Sequence, residues 1–195
     1  KMDFNKQPNQ IRLSVLLLFI LIIAAVRVIL STDPMFAPLA NFSAVGAMAL
    51  FGGAYFKNAK AFIFPLLALL ISDLLIARFA HWGGTWTFLY AGAGWVYGAI
   101  ALMVLTGHVL MKQKTVKNFF LSTLVIVFIH WIVTDFGVWV GGTMYPKTLA
   151  GFWACLVAAI PFERNFLIGT LVYGGIMFGA FEWFKIRYPQ LRLAI

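Results

Sequence analysis

One apolar stretch, residues 119–139, most constrains what this chain can fold into. It reads FFLSTLVIVFIHWIVTDFGVW and is long and apolar enough to cross a bilayer as a helix. Its second half nevertheless carries His130, Thr134 and Asp135. An ionisable side chain at membrane depth costs about 2.5–3.5 kcal/mol and usually faces a cavity or a partner. The stretch therefore predicts a transmembrane helix that contributes to a polar site.

The composition extends this prediction to the whole chain. Of its 195 residues, 63% are hydrophobic and only 11% are charged, whereas soluble domains have about 25% charged residues. This balance is typical of an integral membrane protein, and the length suits a single domain over residues 1–195. The only cysteine, Cys155, excludes an internal disulfide and is expected to be a small apolar packing residue.

The apolar runs predict an all-α integral membrane protein with six transmembrane helices in one bundle. The predicted spans are residues 13–30, 43–56, 61–77, 87–111, 118–140 and 166–183. The second span is short, about 21 Å against a hydrocarbon core of about 30 Å. Residues 149–161 are apolar but too short to span and end at Pro161. They predict an extra interfacial or re-entrant helix before the last span.

Two pairs of small residues at four-residue spacing favour close helix packing. Ala49 and Gly53 form one pair in the second span, and Gly94 and Gly98 form the other in the fourth. Small side chains at this spacing let two helix backbones approach each other. We expect packing rather than ligand contact at both pairs.

The cations are unequally divided between the two ends of the predicted bundle. Six spans place both termini on one side, together with eleven cations: Lys1, Lys6, Arg12, Lys57, Lys60, Lys112, Lys114, Lys117, Lys185, Arg187 and Arg192. The opposite side has four, namely Arg27, Arg78, Lys147 and Arg164. The positive-inside rule assigns both termini to the cytoplasm, and hence the protein to the inner (plasma) membrane of the cell. The basic excess then indicates orientation and contact with membrane lipids, not nucleic-acid binding.

Polar and aromatic residues concentrate at the outward ends of the spans, which predicts a small-molecule pocket there. The candidate substrate-binding residues are Asn41, Asp73, His81, Trp86, His130, Asp135, Trp139, Tyr145, Lys147, Glu163, Arg164 and Asn165. Carboxylates would hold a donor or cation of the solute, and tryptophans would stack on a flat ring. The alternative is that these residues only decorate the membrane interface or hold helices together, with Asp135 paired to Arg164 or Arg78. Arg27 is expected to extend towards water at the interface.

Several segments resemble a known family. NFSAVGAMALFGGAYF, PLLALLISDLLI, TDFGVWV and YPKTLAGFWACLVAAIPFERNFLIGTLVYG resemble an uncharacterised family of bacterial transport proteins. The architecture is similar to that of S components of energy-coupling factor vitamin transporters. This resemblance implies capture of a vitamin or other micronutrient from outside, with a transmembrane coupling protein and paired ATPases as partners. S components often dock through Ala-x-x-x-Ala on the first helix, and here Ala68-x-x-x-Ser72 on the third is only a loose analogue.

The motifs leave three functional hypotheses. The preferred one is a solute-binding component of a transporter, because the absence of G-x-x-x-x-G-K-[ST] means that ATP hydrolysis by that route would need another polypeptide. A membrane assembly or scaffold subunit is the first alternative. A membrane enzyme using His81, His130 or a carboxylate is the second, although H-E-x-x-H and G-x-S-x-G motifs are absent. We expect neither a metal nor a cofactor.

Overall fold

Residues 6–32, 41–81 and 90–192 are described in the computed structural model, and they are helical throughout apart from short connections. The six α-helices are α1 (Lys6–Thr32), α2 (Val45–Tyr55), α3 (Lys60–Ile76), α4 (Ala93–Leu110), α5 (Val116–Gly141) and α6 (Leu149–Arg187). A π-helical turn, Ala77–His81, continues α3, and a 3-10 helix, Pro189–Arg192, follows α6. The predicted all-α fold is confirmed.

The short helix α2 is the centre of the fold. It contacts all five other α-helices, and ten of its eleven residues are buried. Its sequence, VGAMALFGGAY, has no polar face, as expected of a helix surrounded by protein. At about 16 Å, α2 is too short to cross a bilayer alone.

The other five helices are long and apolar enough to cross a membrane. Their outer faces carry large apolar side chains, with Leu21, Phe128 and Ile176 all more than half exposed. Exposed apolar surface on this scale is unfavourable in water and suited to lipid. Length and surface together indicate a membrane protein.

One small-residue pair packs as predicted and the other does not. Ala49 is fully buried, and a Cβ atom added to Gly53 would overlap the Val104 carbonyl oxygen and lie 2.7 Å from the His108 amide nitrogen. By contrast, a Cβ on Gly94 or Gly98 would meet no atom within 4 Å in the described structure. The packing prediction for the second pair was therefore wrong, because spacing alone does not say which face of α4 meets a neighbour.

The predicted short helix before the last span does not exist as a separate element. Residues 149–161 and 166–183 belong to one continuous helix, α6, which is 39 residues and about 58 Å long. Pro161 lies inside it. Proline removes one backbone hydrogen bond and disfavours helix, but packing of the flanking residues against α5 keeps the helix continuous. Glu163, Arg164 and Asn165 consequently lie within α6 rather than at a helix end.

Candidate functional site

Helices α5 and α6 form an antiparallel hairpin joined by residues 142–148. Thr115 caps the start of α5 by accepting a hydrogen bond from the Asn118 amide at 3.1 Å, and Thr148 caps α6 in the same way through Gly151. Across the interface, the Trp131 indole donates to the Leu156 carbonyl at 3.0 Å. The caps define where each helix begins, and the Trp131 hydrogen bond contributes to the register between the two helices.

The most specific contact in this interface joins His130 to Glu163. The His130 Nδ1 and Glu163 Oε1 atoms are 2.8 Å apart, and the side chains are only 14% and 7% exposed. The imidazole stacks on Phe166 with ring centroids 4.2 Å apart. The Thr134 hydroxyl donates to the His130 carbonyl at 2.7 Å. The His130 ring is thus positioned by stacking on Phe166 and by the contact of its Nδ1 atom with Glu163.

Two carboxylate oxygens in this region, one of them from Glu163 itself, are buried without a hydrogen-bond partner. They are Glu163 Oε2 and Asp135 Oδ2, and neither forms a hydrogen bond in the described structure. Asp135 is close enough to be repelled by Glu163 and attracted by His130. A buried acceptor left unsatisfied costs about 1–3 kcal/mol, and more when charged. The interface therefore contains an acidic cluster, His130–Asp135–Glu163, with acceptor capacity that the described protein does not use.

Unpartnered hydroxyls extend this polar lining along the same two helices. Thr123 is seven residues before His130 on α5, and Thr170 is seven residues after Glu163 on α6. Because seven residues are nearly two turns, Thr123 lies on the same face of α5 as His130, and Thr170 lies on the same face of α6 as Glu163. Both hydroxyls are fully buried and without a hydrogen bond, as is that of Ser122. The sequence reasoning missed all three, although their spacing from His130 and Glu163 was available.

The aromatic and basic candidates near the end of α5 stabilise the α5–α6 connection. The Trp139 indole donates to the Pro146 carbonyl at 2.8 Å and packs on Phe152 with centroids 5.4 Å apart. Lys147 folds back and donates to the Trp139 and Gly142 carbonyls. Tyr145 lies partly buried in the same connection. Trp139 and Lys147 thus have intramolecular partners.

Asp73 lies in a different contact network from Asp135. Its side chain is 4% exposed, forms a 2.5 Å ion pair with Arg27 and accepts a hydrogen bond from the Tyr97 hydroxyl at 2.9 Å. Arg27 also donates to the Ser72 hydroxyl at 2.5 Å. The expectation that Arg27 extends towards water was wrong, because Asp73 lies on the adjacent face of α3. The network joins α1, α3 and α4.

The remaining candidates differ in their exposure. Asn41 and Arg164 are exposed, and Asn165 is partly buried. Within the described residues Asp135 forms no ion pair with Arg164. The His81 side chain and the whole of Trp86 lie outside the described residues, so those two predictions have no structural counterpart here. Asp135, Glu163 and His130 are therefore the only predicted candidates that the described structure brings together around unpartnered polar atoms.

The donor set of the acidic cluster restricts its chemistry. Among the described residues, no three His, Cys, Asp or Glu side chains are arranged to hold a metal ion. Two carboxylates and one imidazole present acceptors and a titratable ring nitrogen, which suit a ligand with hydrogen-bond donors or positive charge. The Cys155 thiol points to the Asp135 backbone carbonyl at 3.6 Å and is buried, as expected of a packing residue.

Comparison with known proteins gives a family but no assigned activity. No curated protein and no solved structure matches the chain. A family model, described as a family of unknown function (DUF6580), matches residues 7–191. This match covers nearly all of the chain and includes every described helix from α2 to α6. The protein therefore belongs to the DUF6580 family.

Proposed function

We propose that this protein is a membrane-embedded solute-binding component of a transport system. Its solute is a small molecule, of the size of a vitamin or other micronutrient, that presents a cationic or hydrogen-bond-donating group to the acidic cluster. The observation that carries the proposal is the pair of buried, unpartnered oxygens, Glu163 Oε2 and Asp135 Oδ2. They lie on the packed helices α5 and α6, and Glu163 contacts the His130 imidazole through its other oxygen.

The energetic cost of the unpartnered oxygens supports a ligand rather than a purely structural role for the acidic cluster. Removing a carboxylate oxygen from water is costly unless it regains a donor or a positive charge. His130 offers one ring nitrogen to Glu163 Oε1, which leaves the other Glu163 oxygen and Asp135 Oδ2 uncompensated. A bound ammonium, guanidinium or amide group would compensate both. Charge-assisted hydrogen bonds of this kind are the strongest type available to a site without metal.

Aromatic rings on the same helices would favour a flat solute but do not supply further donors. The Trp131 and Trp139 indole N–H groups both donate to backbone carbonyls, so their rings contribute faces rather than hydrogen bonds. Phe166 already stacks on His130. Specificity in this proposal comes from the carboxylates, and the aromatic rings add apolar contact area.

Orientation and energy source are part of the same proposal. The positive-inside rule places the basic end in the cytoplasm, which orients the carboxyl end of α5 outward in the plasma membrane. Without a phosphate-loop motif, concentration of the solute would depend on an ion gradient or on a partner ATPase. The similarity to S components supports a transmembrane coupling protein with paired ATPases as the first partner to seek.

Mass spectrometry of co-purifying compounds tests the proposal directly. The detergent-solubilised wild-type protein should retain a small molecule, and Glu163→Gln and Asp135→Asn should lose it. Glu182→Gln is the matched control, because Glu182 lies on the same helix and also accepts hydrogen bonds, from Tyr55 and Lys185. It should retain the compound. For each carboxylate variant we expect affinity for the identified compound to fall by about 1.5 kcal/mol or more.

Two results would contradict the proposal. One is that every compound retained by the wild type is retained equally by Glu163→Gln. The other is a stoichiometric protein complex that contains no small molecule, which would support the assembly-subunit alternative. Melting temperatures measured on the same preparations show whether a lost compound reflects the site or an unfolded protein.

A further inference from the structure

A second cavity lies at the opposite, basic end of the bundle, away from the acidic cluster. Its volume is about 380 Å³. Residues from distant parts of the sequence line it: the first turns of α1, the end of α2, the α4–α5 connection, the end of α6 and the 3-10 helix that follows. The cationic residues among them are Arg12, Lys57, Lys112, Lys114, Lys185 and Arg192, and His108 joins them. Tertiary folding thus gathers six full positive charges around one small volume.

These six positive charges outnumber the described carboxylates that lie close enough to balance them. Glu182 is the carboxylate that lies beside them in the described structure, and it is already engaged. It accepts the Tyr55 hydroxyl at 2.5 Å and the Lys185 ammonium at 2.7 Å. One carboxylate against six cations leaves a strong positive potential inside the cavity, where a low-dielectric wall on one side weakens screening.

Arg12 is the most informative of the cations. Its side chain is only 8% exposed, its Nε atom is buried without a hydrogen bond, and it forms no ion pair with any described residue. Arginine is seldom buried unless it is paired, because an uncompensated guanidinium loses its hydration. Glu182 is the described carboxylate that attracts Arg12, but it leaves the buried Nε donor without a hydrogen bond, so the wall of this cationic cavity retains donor capacity for an anion.

The lysines of the cavity also repel one another. Lys114 and Lys185 both lie over the Tyr55 ring, at 5.4 Å and 5.8 Å from its centroid. Partial desolvation lowers the pKa of the Lys114 ammonium, and the Lys185 and Arg12 charges lower it further, against the opposing charge of Glu182. An anion between these groups would relieve this repulsion.

We propose that this basic-end cavity binds a phosphate group. Phosphate carries up to two charges and three or four acceptor oxygens, and so satisfies several cations at once, which one carboxylate does not. The cavity has the volume of a small-ligand pocket and cannot admit a nucleic-acid duplex. The phosphate belongs either to a lipid headgroup or to a soluble phosphorylated compound. This site is independent of the acidic cluster between α5 and α6.

The test compares two double variants that remove the same charge from the same end of the molecule. Lys112→Gln with Lys114→Gln removes two exposed cations of the cavity. Lys60→Gln with Lys117→Gln removes two exposed cations that do not line it. The probes are pyrophosphate, titrated calorimetrically into detergent-solubilised protein, and phosphatidic acid, whose retention from mixed phosphatidylcholine nanodiscs is measured by native mass spectrometry. Both are used at physiological ionic strength.

We expect one probe to bind with a stoichiometry of one per chain. The cavity variant should weaken it about tenfold or more, and the control variant less than about twofold. Binding of pyrophosphate would identify a soluble phosphate compound, and retention of phosphatidic acid alone would identify a lipid headgroup. Arg12→Lys keeps the charge but loses the planar fork and should weaken the same probe. Binding of neither probe, or equal weakening by the two double variants, would overturn the proposal.

Discussion

At the scale of single residues, the Arg27–Asp73 ion pair decides how three helices are joined. Arg27 is near the end of α1, Asp73 near the end of α3, and Tyr97 in the first turns of α4. The two charged side chains are mostly buried and 2.5 Å apart. Removing one member of such a pair leaves the other charge uncompensated. Asp73 is therefore better explained as a structural residue than as a solute ligand.

Asp73→Asn should destabilise the protein strongly. It leaves Arg27 without its counter-charge, a loss of about 3 kcal/mol or more for a buried pair. Thermal unfolding of the purified protein in detergent measures the effect. Asp135→Asn is the matched control, and its melting temperature should stay close to that of the wild type because Asp135 Oδ2 has no hydrogen-bond partner among the described residues. A larger loss of stability in Asp135→Asn than in Asp73→Asn would reverse these two assignments.

Lys147 is a second residue with a structural role, because it caps the C-terminal end of α5. It donates to the carbonyls of Trp139 and Gly142, which lack partners at the end of the helix. Lys147→Met should lower the free energy of unfolding by about 0.3–1 kcal/mol, the usual contribution of a cation at a helix C-terminus. Its affinity for the solute of the acidic cluster should be unchanged. A tenfold loss of solute affinity without a change in stability would instead make Lys147 a ligand.

At the scale of helices, the closest approach is that of α2 to α4. Gly53 and Gly107 allow it, since a Cβ at either position would lie 2.7 Å or less from backbone atoms of the other helix. Backbone atoms cannot move aside as a flexible side chain does. The central position of α2 therefore depends on these two glycines.

Gly53→Ala should destabilise the bundle, and Gly98→Ala should not. The first places a methyl group against the Val104 carbonyl, and overpacking of this kind costs about 1–3 kcal/mol. The second meets no described atom, and alanine is a better helix former than glycine by about 1 kcal/mol. Chemical denaturation or thermal melting of the two variants compares the same substitution in a packed and an open position. Equal melting temperatures would show that α2 and α4 are not in close contact.

At the scale of the whole molecule, the basic end contains both the start of α1 and the end of α6. Arg12 and Arg192 line the same cavity, and an aromatic cluster of Phe19, Phe51, Tyr55, Phe178 and Phe181 lies beneath it. The α5–α6 connection lies at the other end. The two ends therefore differ in charge, as the sequence predicted, although the membrane side of each is still a prediction.

Cysteine labelling determines the orientation. In a Cys155→Ala background, Asn58→Cys and Gln113→Cys should be shielded from an impermeant thiol reagent in intact cells, because the positive-inside rule places these turns in the cytoplasm. Thr143→Cys, in the exposed α5–α6 connection, should label. Permeabilised cells provide the control that all three thiols are reactive. Labelling of Asn58→Cys in intact cells would invert the orientation and with it the outward position of the acidic cluster.

The sequence by itself determined the features that depend on local composition. Apolar runs of sufficient length gave the helices, the polar turns gave most of their ends, and the distribution of lysine and arginine distinguished the two ends of the bundle. His130 and Asp135 also stood out as candidates, because ionisable groups in an apolar run are costly wherever the helix is placed. A break at Pro161 was expected and not found, since packing against α5 outweighs the loss of one hydrogen bond.

Only the tertiary structure decided which polar residues meet. Glu163 is 33 residues from His130, and Asp73 is 46 residues from Arg27, so both pairings depend on helix register and rotation that no local pattern encodes. The same holds for the basic-end cavity, whose cations come from separate segments. A helix with apolar residues on all sides has no preferred face in its sequence, and its orientation is fixed by close packing and by pairing of buried charges.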